Sequence, residues 1–198
     1  MSVSTCKLKK INVTCFDQDA TPFATFQSHN QKIVSNENGI FLTYIRTRNE
    51  NYTEQNWRLL NSTDQGKTFN IIYGSIDATN PAPLETDEYN NLYLVYPDFV
   101  KWNSRLMIIK ASEGYKNPIS VIIPKSAGGK FAMVYDKKRR LLYYIPNNGD
   151  FYAIDMEGNV RHSAKIVKHG KVASFEYPHM VMDENGVLHL AWTTNLHQ

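Results

Sequence analysis

Cysteine is nearly absent from this chain of 198 residues: there are two, Cys6 and Cys15, both close to the start. That excludes a disulfide framework or a CxxC metal site and leaves at most one local bridge. A signed excess of charge is missing too. Lys and Arg outnumber Asp and Glu by only 22 to 19. Apart from Lys7-Leu8-Lys9-Lys10 and Lys137-Lys138-Arg139-Arg140 the cations are scattered, so no stripe for nucleic acid stands out. No apolar run reaches the ~18 residues of a membrane helix, and the first residues lack the basic start and apolar stretch of a secretion signal. Neither membrane insertion nor export is expected of the chain as it stands. His29, His162, His169, His179, His189 and His197 follow no ligand spacing, and phosphate loop, GxSxG elbow and HExxH are all missing, so no cofactor or metal is expected. Asp17-Gln-Asp19 starts like a calcium loop, but without the following glycine and glutamate it reads as a solvated turn. At 42% hydrophobic and 21% charged residues the composition is that of a globular protein, which excludes disorder, collagen and coiled coil.

What is present is a repeat. Residues 32–46 (KIVSNENGIFLTYIR), 82–98 (APLETDEYNNLYLVYPD), 131–147 (FAMVYDKKRRLLYYIPN) and 177–194 (YPHMVMDENGVLHLAWTT) share one plan. Each has an apolar strand, an Asp or Asn, four turn residues and a second apolar strand. The Asx positions are Asn36, Asp87, Asp136 and Asp183, spaced by 51, 49 and 47 residues, and an apolar anchor (Phe41, Leu92, Leu141, Leu188) follows five residues later each time. A short Asx side chain can bond the backbone two residues ahead and hold a hairpin turn. The second strands are almost continuously apolar, which predicts burial on both faces.

Weaker strand pairs lie between the hairpins, at 56–62 with 70–74, 105–111 with 119–124, and 150–155 with 160–168. Four strands per repeat of 47–51 residues predict an all-β fold, a β-propeller of four-stranded blades. The expected units are 31–77, 78–127, 128–175 and a half repeat at 176–198. One stretch, 53–60, reads ambiguously as helix. Residues 1–30 hold two candidate strands, 10–16 and 22–27, which could complete the last blade and close a four-bladed ring. The alternative is part of a larger propeller, whose open edge a partner chain would cover.

Within the first repeat stands Ser62-Thr-Asp64-Gln-Gly66-Lys-Thr68-Phe69, which resembles the Asp box of the sialidase-like propellers, the bacterial neuraminidase repeat. Its chemistry is legible without the resemblance: Asp64 can accept backbone N–H groups across the turn, Gly66 can turn left-handed, Ser62 and Thr68 can bond within it, and Phe69 can pack beneath. Ser112-Glu-Gly114-Tyr115 and Asp155-Met-Glu-Gly158 stand as worn versions. The resemblance implies a structural staple at the blade rim, and an extracellular or virion-associated setting.

A sialidase binds its substrate carboxylate with three converging arginines and uses a Tyr–Glu pair with an acid/base Asp. Of the seven arginines here, Arg46 and Arg48 alone are expected near a propeller's central face, and the family's Arg-Ile-Pro signature is missing, so hydrolase activity is not expected. In a propeller the loops entering the first strands and leaving the second strands meet at one mouth. That rule selects Arg46, Arg48, Asn80, Trp102, Lys130, Tyr177 and His179 as candidate ligand-binding residues, with His29, Asn30, Asp98, Lys101, Asn147, Asn195 and His197 around them. Aromatic faces beside amides, cations and imidazole suit sugars. The expected function is therefore a non-catalytic recognition module for carbohydrate or glycoprotein. Glu176, Tyr177 and His179 are the candidates for a glycan-active alternative, hydrolase or lyase. A structural propeller within a larger assembly is the third reading.

Overall fold

The structure is a computed structural model, and it describes residues 13, 15–17, 20–21, 24–26, 30–47, 55–74, 80–98, 101–126, 128–166 and 176–193. The first sheet comprises β1 (Ile33–Asn36), β2 (Gly39–Thr47), β3 (Gln55–Ser62) and β4 (Asn70–Gly74). The second comprises β5 (Leu84–Thr86), β6 (Leu92–Asp98), β7 (Asn103–Ile109) and β8 (Ile119–Ile123). The third comprises β9 (Phe131–Asp136), β10 (Leu141–Pro146), β11 (Asp150–Asp155) and β12 (Val160–Lys165), and β13 (Glu176–Met182) and β14 (Leu188–Thr193) form a two-stranded fourth. All are antiparallel and run in sequence order. The expectation of an all-β chain is met, with one 3-10 turn, Ala111–Glu113, among the described residues.

The turn chemistry explains the hairpins. Asn36, Asp87 and Asp183 each accept the backbone N–H two residues ahead, at 2.9, 3.0 and 3.0 Å, and Asp136 takes the N–H of Arg139 at 3.0 Å. Asp87 and Asp183 accept a second N–H four residues on, both at 2.8 Å. The same carboxylates then reach the second strand, where Asp87 accepts the Tyr93 hydroxyl at 2.8 Å and Asp136 the Tyr143 hydroxyl at 3.1 Å, while Asp183 meets His189 Nε2 at 3.1 Å. These three turns are thus cinched to their own strands.

The sheets stack face to face through three apolar layers. Phe41, Ile45, Trp57 and Leu59 of the first sheet meet Leu84, Leu92, Leu94 and Met107 of the second. Tyr93, Val95 and Leu106 of the second meet Phe131, Met133, Leu142 and Tyr144 of the third. Ala132, Tyr143 and Ile145 of the third meet Met180, with Leu188 and Leu190 beside it. Each fully buried large side chain contributes about 1.5–3 kcal/mol. The first strands are neighbours in order, β1 beside β5, β5 beside β9 and β9 beside β13.

Neighbouring hairpin turns also bond to one another. Asn36 donates to the Asn90 carbonyl at 3.2 Å, Arg140 pairs with Glu88 at 3.1 Å, and Arg139 donates to the Gly186 carbonyl at 3.0 Å.

Four expectations change. Residues 55–60 belong to strand β3 rather than a helix, and both faces of β3 are covered, so the alternation that marks a strand is lost. β12 ends at Lys165, short of 168. The fourth second-strand, β14, is largely exposed where β6 and β10 are buried, because no described strand lies beyond it. Asp17 is no solvated turn: its carboxylate takes the Tyr44 hydroxyl and pairs with Arg46 at 3.4 Å.

Much of residues 1–30 lies outside the described residues. Their described part runs along β2: Ala20 bridges Arg46, the Thr21 N–H bonds the Ile45 carbonyl at 3.2 Å, and the Ile45 N–H bonds the Ala24 carbonyl at 2.9 Å. Phe16 packs edge-on against Tyr44, with ring centroids 5.3 Å apart, and against Phe69 at 5.6 Å.

Candidate functional site

In an antiparallel meander the start of each first strand and the end of each second strand fall at the same end of the sheet. Long-range bonds join these ends. The Leu84 N–H donates to the Gln31 carbonyl at 2.8 Å, tying the second sheet to the first. The buried Asn30 amide donates to the Phe131 carbonyl at 2.6 Å, linking first sheet to third, and Asn80 donates to the Gly129 carbonyl at 2.6 Å, linking second to third. Lys130, before β9, pairs with Glu176 at the start of β13. All four sheets are therefore stitched at one end, the end the candidate residues were drawn from.

The candidates divide by what their polar groups already do. Asn80 is buried and its amide is committed to Gly129, so it holds loops together. Arg46 is paired with Asp17. Lys130, Glu176 and Tyr177 form one cluster: the Lys130 ammonium lies 4.3 Å from the Tyr177 ring centroid while bonding Glu176, and that carboxylate lifts the ammonium above its usual pKa. Tyr177 has φ 49° at an irregularity in the β13–β14 pairing and remains 40% exposed. A left-handed tyrosine is strained by about 1–3 kcal/mol and tends to mark a binding position. Phe26 touches its ring edge-on at 6.4 Å. Trp102, at φ 52°, is 71% exposed between β6 and β7. His179 is exposed on β13 opposite Ala191. Arg48, His29, Asn195 and His197 lie outside the described residues.

The described arginines are engaged locally. Arg58 donates to the Trp57 carbonyl at 3.3 Å, and Arg105, Arg139, Arg140 and Arg161 pair with Asp98, Asp136, Glu88 and Asp155. They are spread over three sheets. Among the described residues no three His, Cys, Asp or Glu side chains gather as a metal would require, and no helix is long and apolar enough to cross a membrane.

Between β3 and β4, the Ser62–Phe69 turn makes the bonds its residue types suggest. Asp64 Oδ1 accepts the Ser62 hydroxyl at 2.8 Å and the N–H groups of Lys67 and Thr68 at 3.0 and 2.9 Å, and Oδ2 accepts the Thr68 hydroxyl at 2.7 Å. Gly66, at φ 83°, donates its N–H to the Ser62 hydroxyl at 2.8 Å. The Thr68 backbone and hydroxyl, then Ser62, hold the Asp64 carboxyl down at about 2.

Sequence reasoning missed Lys32. It is buried at the start of β1, donates to the Asn30 carbonyl at 3.0 Å, and burial pulls its ammonium down to about 8. A lysine just before a strand carries no sequence mark of burial.

No family model matches the chain, and no curated protein is similar to it. Its fold is similar to that of a crystal structure of a protein of unknown function from Dyadobacter fermentans, with TM-score 0.63 and 14% identity over 84% of this chain. The match spans about half of that protein, 49% of its length. At that identity the likeness concerns the fold alone.

Proposed function

We propose that the chain is a sialidase-like propeller that serves as a recognition module, taking carbohydrate or the sugar of a glycoprotein at the stitched end of its sheets. The carrying observation is the Lys130–Glu176–Tyr177 cluster: a strained, exposed aromatic ring fixed by a cation and a carboxylate where the sheets converge. An aromatic face held rigid beside charged hydrogen-bonding groups is what a sugar ring stacks on. Trp102 supplies a second exposed face at the same end.

Two features favour a tightly curved ring. The Asn30–Phe131 bond joins the first sheet directly to the third, and Phe26, two residues beyond the Ala24 that bonds β2, touches Tyr177 of the fourth. Sheets on a wide ring would stand too far apart for either contact. The Asx-cinched turns and the Asp64 network lie at the other end or the rim, where they stabilise the fold.

A glycan array followed by calorimetry tests the reading. Trp102→Ala and Tyr177→Ala should each weaken sugar binding about tenfold, the loss of one stacking face, and Asp64→Ala should leave affinity unchanged while lowering the melting temperature. No binding to any glycan on the array would overturn the proposal.

A further inference from the structure

Where the turn ends of the second and third sheets meet, they leave a cavity of about 210 Å3. Its inner wall is apolar and continuous with the core: Tyr93, Ile108 and Met156 are buried, and Ile119 is partly exposed toward the opening. Two cations, Lys110 and Arg140, and two carboxylates, Asp87 and Glu157, complete the lining. Four separate segments supply them. Lys110 follows β7, Arg140 tips the β9–β10 turn, Asp87 opens the β5–β6 turn and Glu157 lies in the turn between β11 and β12.

Two of the four charges are already engaged. Asp87 accepts the Tyr93 hydroxyl and the Asn91 side chain, at 2.8 and 3.0 Å. Arg140, at φ 55°, is fixed by Glu88 at 3.1 Å and lies 5.1 Å from the Tyr89 ring centroid. The other two are not engaged. Among the described residues the Lys110 ammonium and the Glu157 carboxylate bond nothing, not even each other, although they line one cavity. On a second groove of the third sheet the opposite charges of Lys165 and Asp150 do pair, at 3.0 Å. Lys110 and Glu157 thus stand apart around a space that would hold about seven waters at ~30 Å3 each.

The chemistry of the ligand follows from these groups. It must bring an anion to Lys110, a cation to Glu157 and a small apolar group to the inner wall. The four charges of the lining sum to zero, so a molecule that is neutral overall with its charges separated gains at both poles, whereas one of single sign is repelled at one of them. A neutral sugar brings neither charge. In a peptide the terminal ammonium and carboxylate lie residues apart, too far for so small a space. A free α-amino acid carries both charges on one carbon, with its side chain beside them.

We infer that the cavity between the second and third sheets binds a free α-amino acid with an apolar side chain of about leucine's size, its carboxylate at Lys110, its ammonium at Glu157 and its side chain against Ile108, Ile119 and Met156. The cavity lies at the turn end, away from the stitched end, so this stands whether or not that end takes sugar.

The test is a nitrogen-15 NMR titration of the whole chain that follows the backbone N–H signals of Asn91, Lys110, Glu157 and Gly158. The probes are L-leucine, leucinamide, which lacks the carboxylate, and 4-methylpentanoate, which lacks the ammonium. L-Leucine should shift these signals saturably, and each truncated probe should bind about tenfold more weakly, the loss of one charged hydrogen bond. Lys110→Gln should weaken leucine by the same factor without weakening leucinamide, and Glu157→Gln should weaken leucine without weakening 4-methylpentanoate. Both side chains are exposed and fasten no turn, so the variants should keep the folded spectrum. The inference is overturned if leucine moves none of these signals, if either truncated probe binds as well as leucine, or if the two variants bind leucine as the natural chain does. The comparison among the three probes uses the natural chain, so the outcome does not depend on a variant folding.

Discussion

Replacing Asp87 with alanine should expose how much of the stability resides in the hairpin turns. The carboxylate is buried and accepts the N–H groups of Tyr89 and Asn91 at 3.0 and 2.8 Å, the Asn91 side chain at 3.0 Å and the Tyr93 hydroxyl at 2.8 Å. The two backbone bonds are worth about 1 kcal/mol each, and leaving the Tyr93 hydroxyl without an acceptor costs about 1–3 kcal/mol more. The sum, about 3–5 kcal/mol, is a large share of the ~5–15 kcal/mol that holds a typical domain together. Tyr93→Phe removes one bond but leaves Asp87 its other donors, for a loss of about 1 kcal/mol. In the double variant the orphaned hydroxyl is gone, so the combined loss should fall short of the sum by about 1–2 kcal/mol. Urea unfolding of the four proteins, with equal m-values, measures this cycle. Strict additivity would refute the reasoning, since it would mean the bond from strand to turn contributes nothing.

Acid should act through Asp64. Its folded carboxyl is held at about 2, below the ordinary 3.8, so the unfolded state binds the proton first. The stabilisation is present above about pH 4 and is lost as the pH falls toward 2. Asp64→Asn should flatten that part of the melting-temperature profile, and an unchanged slope would show the turn to be without consequence. Two glycines separate strain from crowding. At Gly158, with φ 91°, a Cβ would stand 2.6 Å from a Val121 methyl, whereas at Gly114, with φ 62°, nothing lies within 4 Å. Gly158→Ala should destabilise by about 2–4 kcal/mol and Gly114→Ala by about 1 kcal/mol. Equal losses by calorimetry would contradict the crowding against the second sheet.

The hairpins were legible because their signal is local: an Asx residue, four turn residues and an apolar anchor fall within a few positions of one another. The same segments held a second signal that went unread. A polar ring stands six or seven residues after the Asx, as Tyr93, Tyr143 and His189, and returns to that carboxylate. β3 misled for a physical reason. With both faces covered its burial repeats nearly every three residues, which imitates a helix. At the stitched end, Lys130, Glu176 and Tyr177 were placed together by the repeat, and the structure brings them into contact. Asn30 and Asn80 were placed there too, but their structural role was hidden because their acceptors lie 101 and 49 residues away. No local pattern encodes such a pairing. The cavity between the second and third sheets passed unnoticed because Lys110, Arg140 and Glu157 come from separate segments that only the fold brings together.

The two ends of the sheets are fastened by different chemistry, and this bears on where function can reside. At the turn end the acceptor in three of the four hairpins is a carboxylate two to four residues before the N–H it binds, and the basic tip of β9–β10 bonds the acidic turn before it and the glycine turn after it. Two of the four cations of Lys137-Lys138-Arg139-Arg140 are spent on neighbouring turns in this way, Arg139 on the Gly186 carbonyl and Arg140 on Glu88. Changing any of these residues removes a bond the fold needs. At the stitched end the long-range fastenings are side chains reaching backbone carbonyls, Asn30 to Phe131 and Asn80 to Gly129, and a carbonyl is offered by every residue type. The loop sequence there can vary while the fastening persists, and it is there that the proposed ligand positions Trp102 and Tyr177 stand. Substitutions at the turns should therefore act on stability and those at Trp102 or Tyr177 on binding, and a variant of either tyrosine or tryptophan that lowered both equally would show that the two ends are not separate.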